Sequence, residues 1–180
     1  MLPGGGKRKG GTFEREIAKE LSVWWLDGKG DHTIFWRTHS SGQLGTRGHH
    51  ARTEYGDIMA VDDEGKGLTD RVNIELRHSR SLDISDLVYG SKKCGMAQFI
   101  EEGRRNAEMS KREPMWIFKE HQGPIMVMMD PRSLHTLGIE CIVHGIAGAF
   151  PRWDVFVMSF EDWKKYFDKK RMQASAKAGG

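Results

Sequence analysis

Apolar side chains recur at the period of an α-helix over residues 12–27, where Phe13, Ile17, Leu21 and Trp24 fall at i, i+4, i+8 and i+11 and Ala18 and Trp25 widen the stripe. Thr12 has the chemistry of an N-cap and Gly28 that of a stop, so the helix is expected between them. The pattern then changes period. Residues 32–38 (HTIFWRT), 55–61 (YGDIMAV) and 71–77 (RVNIELR) are rich in β-branched, aromatic and alternating positions and read as strands. The first two are separated by a Gly-rich polar loop, SSGQLGTRGHHART, of a length that is usually functional or disordered. The second and third are separated by DDEGKGLTD, so they are expected to form an antiparallel hairpin. Symmetry about Lys66 would place Asp57 opposite Glu75 and Ile58 opposite Ile74.

Further along, residues 83–89 read as a short helix and 92–111 as a longer one with Met96, Phe99, Ile100 and Gly103 on one side. Residues 114–120 and 124–130 read as two strands, each opened by a proline where no ladder donor is lost. Asp130-Pro131 has the look of a helix start, 139–146 is ambiguous, and 153–158 reads as an edge or late strand. Ser159-x-x-Asp162 resembles a capping signal for a final helix to about residue 170. This order predicts an α/β (α+β) domain with one central mixed sheet flanked by helices. Residues 12–170 are expected to form that single domain, between a flexible basic leader (1–11) and a flexible tail (171–180).

Composition narrows the class. With 38% hydrophobic and 29% charged residues, 22 Gly and 5 Pro, the chain is neither collagen-like nor globally disordered. Its two cysteines, Cys94 and Cys141, lack CxxC spacing and indicate neither a disulfide framework nor a cysteine zinc site. No stretch reaches the roughly 20 apolar residues of a membrane span, and the start MLPGGGKRKGGTF lacks a signal-peptide h-region, so a cytoplasmic location is expected. Net charge is only +3, but it is segregated: 37–53 carries Arg37, Arg47 and Arg52 with His39, His49 and His50 and no acid. Such patches suit a polyanion and suit solvated loops equally well.

The hairpin is where chemistry gathers. Two carboxylates facing each other across adjacent strands cost stability unless something positive lies between them, and a divalent metal is the simplest compensator. Alternation keeps Asn73, Glu75 and Arg77 on one side of their strand and sends Leu76 to the other. Hard oxygen ligands suit Mg²⁺ or Mn²⁺. Glu14, at the border of the first helix's apolar stripe, is placed to point toward the sheet. The competing reading makes Glu75 and Arg77 an ordinary surface pair and Glu14 a first-turn acid favoured by the helix dipole. Among other candidates, the spacing of His39, His49, His50 and His78 fits no zinc pattern, GGGKRKGG is not a P-loop, and Trp24, Trp25 and Trp36 lie in apolar-patterned elements and are expected mostly in the core.

The segments GGTFEREIAKEL, YGDIMAV and NIELRHSRSLDI, with the Ser-containing loop and the later EPMWIFKEHQGPIMVMM, resemble the PD-(D/E)xK nuclease superfamily, nearest to archaeal Holliday-junction resolvases and resolvase-like phage endonucleases, over about residues 7–130. The resemblance implies a restriction-endonuclease-like fold. It also implies structure-selective hydrolysis of DNA phosphodiesters, branched DNA as substrate and a homodimer, in the host cytoplasm if the protein is viral. By the same likeness Glu14, Asp57 and Glu75, with the backbone carbonyl of Leu76, hold Mg²⁺ or Mn²⁺. Arg37, one of Ser40 and Ser41, and the loop residues Arg47, His49, His50 and Arg52 then contact DNA. One position departs from the family pattern: Arg77 stands where the family has lysine. An arginine stays protonated, so it orients water or steadies phosphorane charge but accepts no proton. The alternative is a DNA-binding or assembly protein that keeps the fold with cleavage impaired.

Overall fold

The computed structural model describes residues 5–29, 33–38, 55–80, 82–90, 93–139, 148–167, 169, 170 and 173, with backbone only for 5–10. Helix α1 runs Gly5–Trp25, starting seven residues before Thr12 even though four of those seven residues are glycines, the poorest helix formers after proline. It stops as expected: Asp27 and Gly28 take left-handed conformations, and the Gly28 N–H returns to the Val23 carbonyl at 2.8 Å.

Strands β1 (Phe35–Arg37) and β2 (Ile58–Ala60) pair antiparallel, Arg37 opposite Ile58, as a separate two-stranded ribbon. The expected hairpin between β2 and the next strand is not formed. Residues 62–70 coil instead into a 3-10 turn (Asp63–Gly65) and a short helix α2 (Lys66–Thr69), nucleated by the Asp62 side chain, which accepts from the Glu64 N–H. That detour returns the chain to β3 (Val72–His78) at the edge of a five-stranded sheet of order β3-β4-β5-β7-β6.

Between β3 and β4 (Glu113–Lys119), which run parallel, lie α3 (Asp86–Tyr89) and α4 (Gly95–Ser110), a crossover of the kind parallel pairing requires. β5 (Ile125–Met129) pairs antiparallel with β4. Asp130 then caps α5 (Pro131–Leu137) through the Ser133 N–H at 2.9 Å. β7 (Val155–Ser159) is an inner strand rather than an edge, because β6 (Gly148–Phe150) pairs along its outer side. Ser159 caps α6 (Phe160–Tyr166) as its sequence suggested, accepting from the Asp162 N–H.

Alternation along β4 sorts the core into two halves. Met115 and Ile117 face α1, α5 and α6, whose Ile17, Leu21, Leu134 and Trp163 fill one side; Trp116 and Phe118 face α4 with Met96, Phe99 and Ile100 on the other. This is a mixed sheet flanked by helices on both faces, consistent with a restriction-endonuclease-like fold. Trp25 is in the core and Trp24 half-buried against it, whereas Trp36 on the ribbon is 40% exposed. Among the described residues no helix is long and apolar enough to cross a membrane.

Candidate active site at the outer edge of strand β3

Asp57 is fixed from two sides. Its carbonyl accepts from the Thr38 N–H at 3.0 Å, and the Thr38 hydroxyl donates to the Gly56 carbonyl at 2.8 Å. On the other side its N–H donates to the Ile74 carbonyl at 2.7 Å, and its carboxylate Oδ2 accepts from the Leu76 N–H at 2.7 Å. Asp57 is therefore bonded to the two residues that flank Glu75, by two local hydrogen bonds rather than by the expected hairpin ladder. Gly56 makes the approach possible. Its φ is +87°, and a Cβ there would lie 2.9 Å from Asn73 Oδ1 and 3.0 Å from the Ile74 carbonyl. Along a strand, the N–H and C=O of one residue lie on the same side and successive residues alternate. Because Ile74 and Leu76 both bond outward to Asp57, the Leu76 carbonyl also points out of this edge.

Glu75 occupies the α4 side of β3, with its Oε1 clamped by two amides: Asn73 Nδ2 at 2.7 Å and Asn106 Nδ2 at 2.9 Å. Burial pushes its pKa above the ordinary carboxylate value; the two amide hydrogen bonds and the nearby Arg77 charge pull it back only in part. Buried Asn73 keeps its Oδ1 without a hydrogen-bond partner among the described residues. A buried oxygen next to Glu75 thus lacks a donor among the described residues.

Arg77 also points toward α4. Its Nη2 lies 2.5 Å from Glu102 Oε2, and its guanidinium sits over the Phe99 ring at 4.5 Å. Glu14 is held by Arg37, with Nη1 3.2 Å from Oε2, so these two predicted residues meet each other. Ser40, Ser41, Arg47, His49, His50 and Arg52 lie outside the described residues. His78 ends β3 with its ring 5.5 Å from that of Phe13.

Among the described residues no three His, Cys, Asp or Glu side chains form a group that closes around an ion by itself. Mg²⁺ does not require such a cage, since it is commonly held by one or two carboxylates with water and substrate phosphates completing the shell. Asp57, Glu75 and the outward carbonyl of Leu76 are hard-oxygen groups of the kind such an ion takes, and a cation would offset the desolvation that raises the Glu75 pKa. The residues that sequence reasoning missed are Asn106 and Glu102. Their only trace in the sequence was their position on the helical face next to Phe99 and Gly103, and the face of β3 they would meet was not readable from it.

No curated protein and no solved structure matches this chain significantly. A family of nucleases does match, over residues 5–174, which takes in the C-terminal strands and helices as well as the motif-bearing half. The order helix Glu, Gly-Asp-Ile and Glu-x-basic, now seen on α1, before β2 and on β3, is thus embedded in a chain that belongs throughout to the family described as "Phage putative PDDEXK endonuclease", within the PD-(D/E)xK superfamily.

Proposed function

We propose that the protein is a divalent-metal-dependent endonuclease that hydrolyses DNA phosphodiesters at the outer edge of β3. The observation that carries this reading is the half-buried Glu75 carboxylate, held by neutral amides on the strand to which Asp57 is bonded and, among the described residues, in no ion pair. Asp57, Glu75 and the Leu76 carbonyl would hold Mg²⁺ or Mn²⁺, with Glu14 at the border of the site. When bound, such an ion supplies Lewis acidity and lowers the pKa of its water. Asn73 and Asn106 orient Glu75, while Thr38, Ile74 and Leu76 orient Asp57, so the oxygens need no reorganisation on metal entry. Arg77, oriented by Glu102, would steady the phosphate. Arg37, one of Ser40 and Ser41, and the basic loop with Arg47, His49, His50 and Arg52 contact the DNA backbone. By their likeness to the resolvases, the substrate is branched DNA and the active species a cytoplasmic homodimer.

The test is nicking of plasmid and of a four-way junction with and without Mg²⁺ or Mn²⁺. Cleavage is expected only with metal, and Asp57→Ala or Glu75→Gln should lower it by more than about 10²-fold. Metal-independent cutting, or full activity in both variants, would refute the reading. One observation favours the second reading, a binding protein with impaired cleavage: the Arg77 charge is already met by Glu102 and by the Phe99 ring. A large gain of rate in Arg77→Lys would support it.

A further inference from the structure

A cleft of about 540 Å³ lies between the C-terminal half of α4, the start of β4 and the start of α5. Four basic side chains, Arg104, Lys111, Arg112 and Arg132, line it together with Glu108 and Glu113. The four are not equivalent. Arg132 is shared between Glu113 at 3.5 Å and Asp130 at 3.7 Å, and Arg112 has Asp70 at 3.9 Å. Arg104 instead donates to the carbonyls of Trp153 and Asp154, at 2.7 and 3.2 Å, which fixes the guanidinium without neutralising it. Lys111 caps α4 in a left-handed conformation. Among the described residues neither Arg104 nor Lys111 is in an ion pair. The Arg112 side chain is only 7% exposed, so a guanidinium is held in a largely desolvated wall, where an anion gains more than at an open surface.

The position of the cleft ties it to the candidate active site. Glu113 lies beside Val72 in the β3–β4 register, three residues before Glu75, or about 10 Å along the strand. Asn106, which holds Glu75, is followed directly by cleft-lining Ala107. At roughly 3.4 Å per nucleotide along one strand, that offset corresponds to about three nucleotides. Given the nuclease reading, on which this inference rests, we propose that the cleft binds a backbone phosphate of the DNA about three nucleotides from the scissile bond, through Arg104 and Lys111. It sets how the strand lies across β3 and reads no base.

The experiment measures binding of the full chain to a duplex oligonucleotide by fluorescence anisotropy in EDTA over a range of salt. Lys111→Asn keeps a residue that tolerates the left-handed conformation, and Arg104→Gln removes the second charge. Each should weaken binding about tenfold and reduce the salt slope by about 1. A neutral methylphosphonate scanned along one arm of a four-way junction, whose crossover fixes the register, should weaken wild-type binding at one position and have no further effect there in Lys111→Asn. Unchanged affinity and slope in Lys111→Asn would overturn the proposal, as would equal methylphosphonate sensitivity in wild type and variant. Competition by a free deoxynucleoside monophosphate at concentrations similar to DNA would also overturn it, by assigning the cleft to a nucleotide instead of a strand. Because binding is read without metal, a cleft that passes these tests in a protein that never cuts would sink the hydrolytic reading and leave this one standing.

Discussion

Gly56 holds a conformation that an L side chain rarely adopts, at the point where the chain comes closest to β3. Gly56→Ala is expected to destabilise the protein by about 1–3 kcal/mol, from backbone strain and from contact with the Ile74 carbonyl, as read by denaturant unfolding. Glu75 should behave in the opposite way. Its folded pKa is raised above the unfolded value, so its favourable contribution is fully present below the ordinary carboxylate range and is lost as pH rises through the folded pKa. Glu75→Gln should therefore raise Tm at neutral pH and flatten the decline in stability that wild type shows as pH climbs out of the acid range; an unchanged profile would mean that Glu75 is not desolvated in solution. The chemistry of these residues was legible in the string GDI and the spacing E-x-R. Asn73 and Asn106 were not, since an amide advertises no role until its partner is known, and Asn106 meets Glu75 from 31 positions away.

Helix α4 reaches the site because Gly103 lets it lie flat on Trp116. A Cβ at Gly103 would fall 2.0 Å from the indole Nε1, which donates to the Phe99 carbonyl at 3.0 Å. Gly103→Ala should cost at least about 1–3 kcal/mol through overpacking. Because it pushes away the helix that carries Glu102 and Asn106, activity should fall more steeply than stability; a drop in Tm with normal cleavage would show that α4 does not position the site. A milder probe is Glu102→Gln. It should leave the fold intact, since the pair is half-exposed, while releasing Arg77 and lowering cleavage of saturating substrate more than it alters KM. The elements were largely foreseen from period and caps, with one informative failure. Strands 55–61 and 71–77 are near enough in sequence to suggest a hairpin, but residues 62–70 gain more by coiling into capped helical turns, and β2 finds its partner in β1 while β3 finds one in β4. Pairing choice is a competition among strands that no single segment records.

Across the whole molecule, the two halves of the core lock α1 and the β1–β2 ribbon on one side of β3 and α4 on the other, so that Asp57, entering β2, is bonded to the strand that carries Glu75 while α4 holds the Glu75 side chain. A cation that binds this edge in the folded state alone must stabilise the fold by mass action. Adding millimolar Mg²⁺ or Mn²⁺ should raise the Tm of wild type and leave that of Asp57→Asn nearly unmoved, by calorimetry; equal shifts in both would place the ion elsewhere. What the sequence by itself determined is local: the amphipathic helices, the caps at Asp130 and Ser159, the alternation that puts Asn73, Glu75 and Arg77 on one side, and the oxygen chemistry at 57 and 75. These follow from periodicity and from bonds between near neighbours. Only the tertiary structure decided that β3 is an edge strand running parallel to β4, that Arg77 belongs to Glu102, that Glu14 is held by Arg37, and that Glu75 is held between two amides. Those outcomes depend on which distant surfaces exclude water together, a property of the packed chain that no window of residues contains.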